Sequence, residues 1–135
     1  MAQNEPCCSE SGRGLIVAIR TDNARMDVFQ LQQEQEFNPA HHVEKILTDY
    51  PEADFTVACW EPGQVSPDHC HPEAIEMYFC FTGRGVMNTD QGSTQIIPGA
   101  FVIHPLGEFH QYINGPERTL LFRVRSGPDK RAVNR

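Results

Sequence analysis

Residues 63–83 read GQVSPDHCHPEAIEMYFCFTG, and residues 99–114 read GAFVIHPLGEFHQYIN. In the first stretch Gly63, His69, His71, Glu76 and Gly83 follow the spacing G-x5-H-x-H-x4-E-x6-G. In the second, Gly99, Pro105, Gly107, His110 and Asn114 follow G-x5-P-x-G-x2-H-x3-N. Side chains alternate along an extended chain, so His69 and His71 point one way and Cys70 the other. Pro72 is compatible with a turn that brings the next strand back alongside, and Glu76, Tyr78 and Cys80 then share an inward face. His110 opens a separate strand after the Pro105-Leu106-Gly107 turn and supplies a fourth donor. Three imidazoles and a carboxylate fill only part of the shell of a first-row transition metal. Open positions are what distinguish a reactive site from a structural one.

Working outward, turn signals recur at short intervals: Pro62-Gly63, Ser66-Pro67-Asp68, Thr82-Gly83, Asp90-Gln91-Gly92, Pro98-Gly99, Pro105-Leu106-Gly107, Asn114-Gly115-Pro116 and Ser126-Gly127-Pro128. Short runs rich in Val, Ile, Phe, Tyr and Thr lie between them, the pattern of an all-β sandwich or barrel. Strands are expected at 15–20, 43–48, 54–61, 75–81, 86–89, 94–97, 100–104, 109–113 and 119–125, with Asp90-Gln91-Gly92 closing a hairpin. Residues 25–37 are rich in Gln and Glu and read equally as a short helix or an irregular arm. The expected organisation is an N-terminal arm over 1–40, partly mobile with one or two strands, a barrel over 41–126, and a mobile tail over 127–135.

A chain of 135 residues fits one domain with a core that needs no disulfides. Its formal net charge of -7 argues against nucleic-acid and anionic-membrane partners, which are bound through clustered Lys and Arg. No run approaches the ~20 apolar residues of a membrane span, and MAQNEPCCSE lacks the basic-then-apolar layout of a secretion signal. Five cysteines, an odd number with Cys7 and Cys8 adjacent, suit reduced thiols. A cytoplasmic protein is expected.

The two stretches resemble the paired motifs of the cupin superfamily at all ten positions named above. The resemblance covers residues 41–126 and is to its small single-domain bacterial members. It implies an antiparallel jelly-roll β-barrel, usually a homodimer, with a metal inside one mouth. The donor chemistry of His69, His71, Glu76 and His110 suits one divalent transition metal ion. Fe(II) is favoured, and Mn, Ni, Co, Zn and Cu fit the same donors. Fold and metal transfer with such a resemblance, but a reaction does not.

Three functions follow. The leading one is a metal-dependent dioxygenase acting on a small organic molecule, with Glu76 as ligand or proton acceptor. The second is a redox-neutral isomerase or lyase, the metal acting as Lewis acid and Tyr78 or Glu76 moving a proton; some cupin lyases use a tyrosine at the place of Tyr78. The third is a small-molecule-binding module without catalysis. Each further candidate also has a plainer role. Tyr78, Cys59 and Cys80 pack as barrel residues, His104 is a strand-end histidine with local hydrogen bonds, and His41 and His42 are solvated. Arg123 and Arg125, alternating with Phe122 and Val124, are expected to point outward; turned inward, they would suit a carboxylate.

Overall fold

The computed structural model describes residues 26–135, so the strand expected at 15–20 lies outside the described residues. Ten strands follow in chain order: β1 (Val43–Tyr50), β2 (Ala53–Trp60), β3 (His69–Cys70), β4 (Ile75–Thr82), β5 (Gly85–Thr89), β6 (Gly92–Ile96), β7 (Phe101–His104), β8 (His110–Asn114), β9 (Thr119–Ser126) and β10 (Val133–Asn134). They form two antiparallel five-stranded sheets, β1-β2-β9-β4-β7 and β10-β3-β8-β5-β6. The fold is all-β, a jelly-roll sandwich whose sheets face one another without closing into one hydrogen-bonded barrel. Among the described residues no helix is long and apolar enough to cross a membrane.

Turn chemistry accounts for the joints. β5 and β6 form the expected hairpin, with Thr89 opposite Gly92 across the Asp90-Gln91 loop. Gly83 adopts φ +79°, and a Cβ there would meet Thr119 Oγ1 at 2.2 Å and the Arg118 carbonyl oxygen at 2.4 Å. Only glycine supplies both the left-handed backbone and the close approach of β9. Asn114 closes the same end of the sandwich. Its amide donates to the Glu61 and Glu117 carbonyls, both at 2.9 Å, and its Oδ1 accepts from the Tyr112 hydroxyl at 3.1 Å.

The register across β2, β9, β4 and β7 arranges the inner face of the first sheet in rows. Asp54, Arg125, Glu76 and His104 form one row; Thr56, Arg123, Tyr78 and Val102 form the next; Ala58, Leu121 and Cys80 form the third. Polarity falls along the strands. Ala58, Trp60, Tyr78, Cys80, Met87, Ile96, Tyr112 and Leu121 make the buried apolar cluster between the sheets. A smaller cluster of Val57, Cys59 and Leu120 lies on the other face of the first sheet, covered by Leu31, Phe37, Val43, Leu47 and Phe81. The described part of the arm, 26–40, contains a turn and no strand or helix, and it earns its place by this packing.

Three expectations are corrected. Arg123 points inward and is 2% exposed, and Arg125 shares that face, because here the outer face is the apolar one. Burying a guanidinium costs several kcal/mol unless it is paired, and Arg123 is paired with Glu44 and donates to Thr56 Oγ1 at 3.2 Å. Where a mobile tail was expected, residues 133–134 form β10 on β3, Val133 opposite Cys70 and Asn134 opposite His69. His42, expected to be solvated, stacks on Trp60 with ring centroids 4.0 Å apart and planes 7° from parallel.

Candidate metal centre

β3, β4 and β8 deliver three of the donors, and His71 follows β3 directly. His69 is in register with His110 across β3 and β8, and Glu76 faces them from the opposite sheet. His71, Glu76 and His110 are 3%, 1% and 2% exposed. The structure brings all four predicted ligands together, one ligand atom from each lying within 4.8 Å of the others. His71 Nε2 stands 2.8 Å from Glu76 Oε2, while His110 Nε2 and His69 Nε2 stand 2.9 and 4.0 Å from Oε1. Donors bound at about 2.0–2.2 Å to a common cation sit roughly 3 Å apart when adjacent and about 4 Å apart when opposite. The spacings match that range.

Main-chain carbonyls aim the rings. His69 Nδ1 donates to the Pro67 carbonyl at 2.8 Å, His110 Nδ1 to that of Glu108 at 3.0 Å, and His71 Nδ1 to those of Lys130 and Arg131 at 3.0 and 3.2 Å. A carbonyl can only accept, so Nδ1 carries the proton in each ring and Nε2 is left as the donor toward the shared point. His71 Nε2 and Glu76 Oε2 face one another at 2.8 Å, yet neither has a hydrogen-bond partner. Two lone pairs buried at that distance repel unless a cation or a proton lies between them. Gly107 ties the second segment to the first, its N–H donating to the His71 carbonyl at 2.9 Å.

Charge points the same way. Glu44, Asp54 and Glu76 face Arg123 and Arg125, three carboxylates against two guanidinium groups, with Asp54 held by Arg125 at 3.0 Å. One negative charge remains for a cation. Burial opposes ionisation of Glu76, but the hydrogen bond from His110 and the charge of Arg123 outweigh it and hold the carboxyl far below the usual range. Burial also pulls His110 toward neutrality, and its bond to Glu76 more than reverses this.

The remaining candidates divide. Tyr78 is 6% exposed between Glu76 and the apolar cluster; burial first, then the Glu76 charge, pushes its hydroxyl well above the usual phenol value, with Arg123 acting against them. His104 stacks face to face on His110, with centroids 3.8 Å apart and planes at 7°, and its Nδ1 donates to Glu108 Oε2 at 3.2 Å. Cys80 sits in the apolar cluster at 0% exposure, and Cys59 and Cys70 are buried and free. Nothing in the spacing of the motifs announces the Lys130 and Arg131 carbonyls, since a backbone acceptor has no residue signature. Beside His104, a groove of about 440 Å³ opens between β6 and β7, lined by Met87, Ile96, Val102 and Glu108.

Comparison with known proteins bears on this geometry. The chain matches the Cupin domain family over residues 56–123. A conserved double-stranded β-helix protein from Klebsiella pneumoniae superposes with a TM-score of 0.75 at 17% identity, covering 82% of this chain and 97% of that one. Oxalate oxidase in complex with the substrate analogue glycolate gives 0.67 at 19% identity, covering 84% and 67%. KdgF from a Halomonas species gives 0.62 at 17%, covering 69% and 85%. No curated protein matches the sequence. At such identities the likeness to solved structures shows the fold alone. The family match runs from Thr56 in β2 to Arg123 in β9 and takes in both donor segments with the strands that carry them, and so the chain belongs to the cupin family.

Proposed function

We propose that the protein is a metal-dependent dioxygenase acting on a small organic molecule, with His69, His71, Glu76 and His110 as ligands and Fe(II) as the working ion. The observation that carries this reading is the convergence of three imidazoles, each fixed at Nδ1 by a carbonyl, on a buried carboxylate whose Oε2 has no partner. A bound iron would supply open coordination positions and redox chemistry for a substrate and dioxygen. The chain's own part is to hold the imidazoles as neutral Nε2 donors, to keep Glu76 ionised through Arg123, and to exclude water with Tyr78 and Val102. The oxalate oxidase among the structural neighbours supports an oxidative reading by analogy.

A second reading, a redox-neutral isomerase or lyase, rests on Tyr78 lying one alternate position beyond Glu76 on the same inner face. Burial and the Glu76 charge keep its hydroxyl protonated, which suits it better to donate a hydrogen bond than to act as base. Oxygen uptake by Fe(II)-loaded protein across small carbonyl and carboxylate compounds tests the choice. Uptake that His110→Ala abolishes supports the dioxygenase, and turnover undiminished under argon rejects it in favour of the second reading. Saturable binding without turnover points instead to a non-catalytic binding cupin.

Two further expectations belong to this proposal. Free, buried Cys59, Cys70 and Cys80 support a reducing, cytoplasmic setting. A homodimer is supported by the outer face of the first sheet, where Phe55, Val124, Met77 and Ile103 run in one row and Val57, Phe122, Phe79 and Phe101 in the next. Phe101 and Ile103 are 61% and 57% exposed there. Sedimentation velocity of wild type against Ile103→Lys reads this directly: a dimer that the lysine splits supports it, and a wild-type monomer ends it.

A further inference from the structure

We infer that residues 128–135 form a clasp that sets the affinity of the metal centre by orienting His71 and bracing the strand that carries His69. The inference rests on the metal-centre reading above and adds a part of the chain that neither motif contains. After β9 the chain turns at Gly127, whose N–H donates to the Glu52 carbonyl at 2.9 Å. A Cβ at Gly127 would meet the Glu73 carbonyl oxygen at 2.1 Å, so the segment crosses tightly over the loop between His71 and Glu76.

The carbonyls of Lys130 and Arg131 then accept from His71 Nδ1 at 3.0 and 3.2 Å. The Lys130 carbonyl also accepts from Arg125 Nη1 at 3.4 Å, and Arg125 Nε lies 4.0 Å from Glu76 Oε2. One carbonyl therefore touches a ligand and the cation beside another ligand. Three residues later β10 pairs with β3, Asn134 opposite His69. A ring nitrogen held by an acceptor fixes both the tautomer and the orientation of a ligating histidine, and loss of such a partner typically weakens metal binding 10- to 100-fold.

The clasp is fastened by side chains outside the ligand set. Lys130 Nζ reaches Asp49 Oδ1 at 2.8 Å and the Tyr50 carbonyl at 2.9 Å. Arg135 pairs with Asp68 at 2.9 Å and Asp90 at 2.7 Å, its guanidinium lies 4.4 Å over the Phe109 ring, and its N–H donates to the Asp68 carbonyl at 2.9 Å. These anchors are surface ion pairs, weak singly and screened by salt. Lys130 and Arg135 are positioning residues, acting on the site only through the backbone they hold.

The test titrates Co(II) into the 135-residue protein, reading affinity by chelator competition and geometry by the visible absorption of the bound ion. Lys130→Glu and Arg135→Glu together are expected to weaken Co(II) about tenfold and to shift the absorption bands, with the far-ultraviolet circular dichroism unchanged. The charge swap Asp49→Lys with Lys130→Glu is expected to recover most of the loss caused by Lys130→Glu alone. Where Lys130→Glu does not fold, Asp49→Asn opens the same pair from the other side and is read by the same titration. Variants that bind Co(II) within twofold of wild type, bands unmoved, overturn the clasp and leave the metal centre standing. Wild type that takes up no more Co(II) than His110→Ala overturns the centre and the clasp with it.

Discussion

The two ends of the sandwich interior share β2, β4 and β9 and differ in almost every other respect. At one end Trp60, Ala58, Leu121, Cys80, Met87, Ile96 and Tyr112 pack as an apolar cluster. At the other stand Asp54, Arg125, Arg123 and Glu76 on the shared strands and His104 on β7. Burial stabilises the first end roughly in proportion to apolar area. It penalises the second, which persists because its charged groups meet opposite ones. The apolar end makes the polar end rigid, and the polar end gives the fold something to do.

Substitutions separate the two ends. The largest effect is expected for His110→Ala, which lowers bound metal from about one ion per chain to none in elemental analysis after loading and desalting. Arg123→Ala comes next. It removes the buried guanidinium that pairs with Glu44 and leaves Asp54 with Arg125 alone, and removing one partner of a buried pair costs about 3–5 kcal/mol, read in urea unfolding of the metal-free protein. At the apolar end Leu121→Ala opens a cavity at a site of 0% exposure and is expected to cost about 2–5 kcal/mol, with Co(II) affinity held within twofold. A tenfold loss of affinity in that variant would erase the distinction between the ends.

The smallest effect concerns acid. Burial works against ionisation of Glu44, but His42 and Arg123 outweigh it and hold the carboxyl at about 2, against 4.5 for a free one. A carboxyl depressed in the folded state adds stability above pH 4.5 and loses it as the pH falls through 2. Its side chain is 40% exposed, so solvent screening keeps the contribution below about 1 kcal/mol. Glu44→Gln is expected to lower stability at neutral pH by that amount and to flatten the acid limb, the variant and wild type converging as the pH falls through 2. An unaltered acid limb would assign the effect to other carboxylates.

Much of this was legible beforehand, for reasons that differ by residue. His69, His71, Glu76 and His110 were readable because ligands must be specific side chains, and turns at Gly63, Gly83, Gly99 and Gly107 must be glycines where φ lies between +72° and +91°. β1, β2 and β4 to β9 fell within a residue or two of expectation, since β-branched and aromatic runs between such turns have few alternatives, while the two-residue strands β3 and β10 were not among those expected. Arg123 and Arg125 were misread because alternation separates two faces without saying which one is inside. Asp54 and Glu76 in the neighbouring strands share the arginine face and make it the buried one.

The sequence by itself determined the fold class, the donor set and the turns, because each depends on local backbone preference or on which atoms a side chain carries. Tertiary structure alone decided where the guanidinium groups point, that His42 packs on Trp60, and that residues 128–135 return to hold His71. Those outcomes depend on pairings between strands and on main-chain carbonyls, which every residue possesses and no residue type announces.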